Sequence, residues 1–233
     1  KTIVTSPLQN KIAKSYGVEV RETLTGFKFI ADEVGKDPKN YIFGGEESFG
    51  YLPIEWVRDK DSLSSGAALA ELAEETDLLE NLNNLYLKHG VYNDFLYSIK
   101  LTPDSPVLAR INEKLKLPAQ LGNNANGNSQ IGKRNIVDVL NLQKEGLEPL
   151  STYYKNLKKT LPSANVLQFK LEPEGFLTIR PSGTEPKIKI YLNLKHREKA
   201  TLENMETMKK ELAAEAKIIQ AEFFERLGLH NQE

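Results

Sequence analysis

Apolar and polar positions along the chain follow two periods, and the balance between them shifts near the middle. Residues 2–5, Thr-Ile-Val-Thr, are β-branched and apolar, the composition of a buried strand. Ser6-Pro7 reads as a helix start, with serine at the cap and proline at the first helical position. Leu8, Ile12, Ala13 and Tyr16 then recur at helical spacing until Gly17 stops them. Residues 18–23 predict a second strand, residues 27–34 a helix and residues 41–43 a third strand. Strand and helix alternate, so this stretch predicts an α/β layer on a parallel sheet. Two more helical stripes follow over residues 62–88. One runs through Leu69, Leu72, Ala73 and Thr76, the other through Leu78, Leu82, Leu85 and Tyr86, before His89-Gly90.

Beyond residue 90 strands dominate. Residues 92–101, 137–142 and 166–171 read as strands, residues 105–117 as a capped helix, and the Asn-rich run 122–129 as a mobile surface loop. In residues 187–194, Ile188, Ile190, Leu192 and Leu194 alternate with Lys187, Lys189, Tyr191 and Asn193, the pattern of a half-buried strand. A long helix is expected over 197–227, with Leu202, Met205, Met208, Leu212, Ile219 and Phe223 on one side. The fold class is α/β. A three-layer α/β domain over 1–90 precedes an α+β domain over 91–233, whose antiparallel sheet carries its helices on one face.

Composition changes this picture little. The formal net charge is −1, from 31 basic and 32 acidic residues, so bulk attraction to nucleic acid or membrane is not expected. No apolar run approaches the ~20 residues of a membrane span, and no signal-peptide pattern opens the chain, so a cytoplasmic location is expected. With no cysteine there is no disulfide, thiolate metal site or cysteine nucleophile. His89, His196 and His230 lack metal-ligand spacing. The chain begins at Lys1 and enters a strand-like run at once, as an excised fragment would.

Two loops carry candidate chemistry. Arg180-Pro181-Ser182-Gly183-Thr184-Glu185-Pro186 joins two strand patterns through small residues. Consecutive N–H groups in such a turn can form a nest for an anion. Ser182 and Thr184 add hydroxyls, Arg180 a planar fork, and Lys187 and Lys189 further positive charge. An ordinary hairpin turn with Arg180 in a surface ion pair accounts for the same spacing. The second loop, Gly44-Gly45-Glu46-Glu47-Ser48-Phe49-Gly50, sets two carboxylates and a hydroxyl after a strand. That suits neighbouring sugar hydroxyls, or equally a polar turn that caps a helix. Arg58-Asp59-Lys60-Asp61 taken alone reads as a solvated charge cluster at a helix start.

The Arg180–Pro186 motif with its basic-alternating strand resembles the C-terminal phosphate loop of the phosphohexomutases, the phosphoglucomutase/phosphomannomutase superfamily. Gly-Glu-Glu-Ser-Phe-Gly is similar to the sugar-recognition loop of that family, and Thr25-Gly26-Phe27-Lys28 to a loop that helps choose between two orientations of the sugar phosphate. The resemblance implies that Glu46 and Ser48 hold sugar hydroxyls and that Thr25 and Gly26 touch the substrate. Arg180, Ser182, Gly183, Thr184 and Lys189 would hold the non-reacting phosphate. Lys60 would sit near the reacting phosphate and act in proton transfer. It implies a hexose phosphate substrate, a hexose bisphosphate activator, and magnesium with ligands outside this chain. The family's Thr-Ala-Ser-His-Asn-Pro-like serine loop and Asp-Gly-Asp-x-Asp-Arg-like magnesium loop do not occur in these residues. The chain is therefore expected to be the third and fourth domains of a mutase, partnered by the N-terminal half of the same enzyme and inactive alone. A stand-alone sugar-phosphate binding or regulatory module, or a mutase for pentose or amino-sugar phosphates, are the alternatives.

Overall fold

The computed structural model describes residues 1–102, 105–123, 127, 129–143, 147–182 and 185–229. It divides into two compact units, one of Lys1–Gly90 with Lys199–Glu203, the other of Val91–Glu198 with Asn204–Glu233.

The N-terminal unit runs through α1 (Pro7–Ser15), α2 (Phe27–Lys36), β1 (Gly44–Glu46), β2 (Gly50–Leu52), α3 (Ser62–Glu75) and α4 (Leu78–His89). Pro7 opens α1 at a position whose N–H would find no helical partner anyway. Its small core joins Phe27, Ile30 and Val34 of α2 to Leu52 of β2, with Tyr41, Ile54 and Val57 packed against it. Pairing here departs from expectation. Among the described residues the parallel sheet is reduced to one bridge, Thr2 to Thr23, held by Ile3 N–H to Thr23 O and Thr23 N–H to Lys1 O at 2.9 Å each. Residues 18–22 and 41–43 join no ladder. Parallel strands are normally paired on both edges and covered on both faces, and these runs have neither. The ladder that does form is the antiparallel hairpin β1–β2, with Glu46 opposite Gly50.

The C-terminal unit is built on a six-stranded sheet ordered β3-β8-β7-β6-β5-β4. These strands are β3 (Tyr92–Lys100), β4 (Gln130–Ile131), β5 (Arg134–Asn141), β6 (Leu167–Leu171), β7 (Gly175–Pro181) and β8 (Lys187–Lys195). Every pairing is antiparallel. Helices α5 (Pro106–Leu115), α6 (Pro118–Gly122), α7 (Thr152–Thr160) and α8 (Met205–Leu227) complete it. Helix α8 buries Met205, Met208, Leu212, Ile219 and Phe223, and Phe223 meets Phe169 of β6 edge-to-face at 6.2 Å. Gly175 lets β7 begin close to β8, since a Cβ there would lie 2.2 Å from the Asn193 carbonyl oxygen and φ is +152°.

Two expectations for this unit change, and a third falls partly outside the described residues. Helix α8 begins at Met205 rather than at 197, with Asn204 at the position before it, and Leu202 is exposed. Helix α7 reaches the sheet on the face opposite α8. Its Tyr154 Oη donates to Gln168 Oε1 at 2.7 Å, and Gln168 alternates with the Phe169 that meets α8. The Asn-rich loop expected over 122–129 falls partly outside the described residues. No helix among the described residues is long and apolar enough to cross a membrane.

Candidate functional site

Three segments of the N-terminal unit gather around the core of α2 and β2. Gly26 occupies the cap position of α2, directly after Thr25, so both residues open the helix that carries Phe27 into the core. The hairpin β1–β2 presents Glu46-Glu47-Ser48-Phe49 at its tip. The Glu46 side chain lies across Gly50, where a Cβ would come 2.9 Å from Glu46 Cγ and 3.0 Å from Oε1, so a side chain at position 50 would displace Glu46. Glu47 is the tether of the tip. Its carboxylate accepts from Thr2 Oγ1 at 3.1 Å and from Ser48 Oγ at 3.2 Å, and Thr2 Oγ1 is also 2.8 Å from Thr5 Oγ1. Phe49 adopts φ +60° with its ring 88% exposed. A non-glycine residue in that region is held there at a cost. Tyr41 Oη donates to Leu52 O at 2.5 Å behind the hairpin, and burial pushes its hydroxyl up to about 12.

The third segment is Arg58–Asp61. Asp61 caps α3 by accepting from Leu63 N and Ser64 N, and its own N–H bonds to Tyr51 O at 2.9 Å, which ties this loop to β2. Those bonds, Ser64 first, hold the Asp61 carboxyl below its ordinary value. Lys60 lies 5.9 Å over the Phe27 ring, beside the start of α2, and 3.1 Å from the Asp59 carboxylate. Its side chain is 56% exposed.

In the C-terminal unit the described part of the phosphate-loop candidate is a hairpin closed by Ser182 N–H to Lys187 O at 2.8 Å. Ser182 Oγ accepts from Glu185 N at 3.2 Å. Gly183 and Thr184 lie outside the described residues. Strand register sets the charges. Arg180 stands opposite Lys189, Lys189 also faces Ser98, and Lys187 faces Lys100. By alternation all four cations share the face away from α8, since Ile190 neighbours Lys189 and pairs with Tyr97, whose ring meets Phe224 of α8. Like charges directly opposite in a sheet repel. The carboxylate placed against them is Glu185, held below its ordinary value by its hydrogen bond to Lys187 and then by the Lys187, Lys100 and Lys189 charges. Lys100 was not singled out by the sequence, because only the pairing of β3 with β8 brings it to this hairpin.

Residues 1–89 match the family model described as phosphoglucomutase/phosphomannomutase, alpha/beta/alpha domain III. The chain is similar to the phosphohexomutase superfamily, through that domain over residues 1–89 and through the relatives that follow. Phosphoglucomutase of Staphylococcus aureus strain MSSA476 is 34% identical over 208 residues, 84% of this chain and 36% of the relative. That of strain USA300 is 34% identical over 206 residues, 84% of this chain and 35% of the relative. The chain thus spans about a third of the length of these relatives. Among solved structures, the open form of exocytosis-sensitive phosphoprotein pp63/parafusin, a phosphoglucomutase from Paramecium, superposes with TM-score 0.59 at 20% identity. That match covers 97% of this chain and 38% of the other, and it shows a shared fold. Among the described residues no group of three His, Asp or Glu side chains gathers as a metal site.

Proposed function

We propose that the chain supplies the sugar grip and the phosphate anchor of a phosphohexomutase that interconverts hexose 1-phosphate and hexose 6-phosphate. The observation that carries this reading is the face shared by Arg180, Lys189, Lys187 and Lys100, where two like-charge pairs stand opposite each other. Such pairing costs stability in the free protein and is offset when a dianion sits between the charges. Ser182 and the adjoining Gly183 and Thr184 would cradle that phosphate. Glu46 and Ser48 would accept and donate to sugar hydroxyls, with Thr25 and Gly26 at the α2 start selecting the orientation. Lys60 is the candidate for proton transfer, a role that requires burial or a neighbouring cation to ease loss of its proton. The phosphoserine that donates to the sugar and the magnesium that supports transfer belong, on this reading, to the rest of a mutase chain. The resulting bisphosphate would turn over in the site and return its other phosphate to serine. Domain boundaries at about residue 90 and a cytoplasmic location follow from the same reading.

Steady-state kinetics of Arg180→Ala and Arg180→Lys in a full-length mutase carrying this chain tests the anchor. Charge-assisted hydrogen bonds are worth roughly 1.5–3 kcal/mol each. Arg180→Ala should therefore lower kcat/KM on the order of tenfold to a hundredfold, with KM affected at least as much as kcat. Lysine should rescue in part, because it keeps the charge and loses the fork. Unchanged kinetics in both variants would reduce the loop to a turn.

A further inference from the structure

The two ends of the six-stranded sheet in the C-terminal unit differ. At one end β4 has two residues, too short to template another strand. At the other, β3 runs for nine residues, pairs with β8 and has no strand on its outer side among the described residues. Its register is unbroken from Tyr92 opposite Lys195 to Lys100 opposite Lys187, so no bulge twists the edge away, and no proline interrupts it. Leu96 is 47% exposed, and Asp94, Ser98 and Lys100 on the same face are exposed with it. Opposite charges mark the two ends of that face. Asp94 accepts from Asn193 Nδ2 at 2.6 Å, and Lys100 stands opposite the like-charged Lys187.

An edge with that charge order is complementary to a reversed strand of its own sequence. In an antiparallel pair, residues whose main-chain groups point outward must face residues that do the same. A two-fold-related copy therefore sets one residue of β3 opposite itself. Registers centred on Phe95, Leu96 or Ser98 do not bring the two charges together. The register centred on Tyr97 sets Asp94 opposite Lys100, Phe95 opposite Ile99, Leu96 opposite Ser98 and Tyr97 opposite its own counterpart. Opposite-charge and aromatic pairs across strands are stabilising. We propose that β3 pairs antiparallel with β3 of a second copy of this chain, centred on Tyr97, with two Asp94–Lys100 ion pairs closing the joint. Each Lys100 then gains a carboxylate on the side away from Lys187, which offsets the repulsion between those two lysines. Paired residues 94–100 span roughly 23 Å. So narrow a contact makes the association weak and concentration-dependent. The inference does not rest on the sugar or phosphate assignments.

Sedimentation velocity of the 233-residue chain over a concentration series tests the joint. Monomer and dimer in exchange, with the dimer weakened by salt, is the expected result. Lys100→Asp and Asp94→Lys each set like charges opposite one another and should weaken self-association about tenfold or more. Mixed in equal amounts, the two variants present complementary ends and should pair as tightly as the unaltered chain. Should Asp94→Lys unfold the unit through loss of its bond to Asn193, introduced cysteines report the register, since the chain has none of its own. Leu96→Cys mixed with Ser98→Cys should then cross-link under mild oxidation faster than either variant alone. A chain that stays monomeric at every concentration, a dimer indifferent to Lys100→Asp, or cysteines that cross-link no faster when mixed would overturn the proposal. Arg180→Ala should leave association unchanged, which keeps failure of this joint distinct from failure of the phosphate anchor.

Discussion

The two units use their helices in opposite ways. In the C-terminal unit α8 commits Met205, Met208, Leu212, Ala216, Ile219, Phe223 and Leu227 to the core. In the N-terminal unit α3 and α4 contain no buried residue at all, although Leu63, Leu69 and Leu79 lie on them. Local signals are enough to write α3 and α4 as helices. Asp61 and Asp77 each accept from two N–H groups of the first turn, and Lys88 and His89 close α4 at its negative end. Most helical stability in proteins nevertheless comes from packing an apolar face. The C-terminal unit has done so by itself, while the N-terminal unit keeps apolar side chains of α3 and α4 and the candidate loop tip at Phe49 in solvent. One unit buries the apolar face of its longest helix; the other leaves α3 and α4 exposed.

That contrast can be broken by mutation. The largest effect should come from Phe223→Ala, which removes the ring against Phe169 and should cost about 3–5 kcal/mol. Leu69→Ala on exposed α3 should stay within about 0.5 kcal/mol. Calorimetry resolving the two units measures both, and equal losses would end the distinction. Arg134→Met comes next. Arg134 is 1% exposed and pairs through Nε and Nη2 with Glu215 at 2.9 and 2.6 Å, so removing it strands a partly buried carboxylate at about 3 kcal/mol. Burial opposes the Glu215 charge, but the Arg134 hydrogen bonds and charge outweigh it and hold the carboxyl below its ordinary value. A depressed folded value means this stability is complete above the ordinary Glu pKa of about 4.3 and disappears as pH falls through the folded value. The melting temperature of the C-terminal unit should therefore drop more steeply below about pH 4 in the native chain than in an Arg134→Met, Glu215→Leu double variant.

Smaller effects belong to the exposed tip of the β1–β2 hairpin. Gly50→Ala should push Glu46 aside and raise KM for hexose phosphate on the order of tenfold in a full-length mutase, with little change in melting temperature. Thr2→Val removes one donor to Glu47, a loss of about 1 kcal/mol, and should raise KM roughly fivefold. Equal loss of stability and no change in KM would make Glu47 a structural tether without a part in substrate positioning.

Much of the fold could be read before any coordinates, where period and caps agree. Helix α2 and the core side of α8 follow their apolar spacing, and β8 keeps the alternation of Ile188, Ile190 and Leu192. What escaped depended on partners distant in sequence. Gly44-Gly45-Glu46 reads as loop, yet Gly50–Leu52 turns it into a strand. Arg134 carries no signal in the sequence pattern, and only the fold gives it its partner Glu215, 81 residues on. The face of α7 was decided by Tyr154 reaching Gln168. Candidate site residues were legible because motifs are local; the part of Lys100 and the Thr2–Glu47 tether were not, since only tertiary pairing creates them.

The opposed cations of the β3–β8–β7 strip have a thermodynamic corollary. A unit that folds against its own charge repulsion should become harder to melt when an anion is supplied, following RT ln(1 + [L]/Kd). Inorganic phosphate at a hundred times its dissociation constant would add about 2.7 kcal/mol to the C-terminal unit and nothing to the N-terminal one. The strip would then act as a rivet hole, and the buffer chosen for storage would decide how firmly half of this protein holds together.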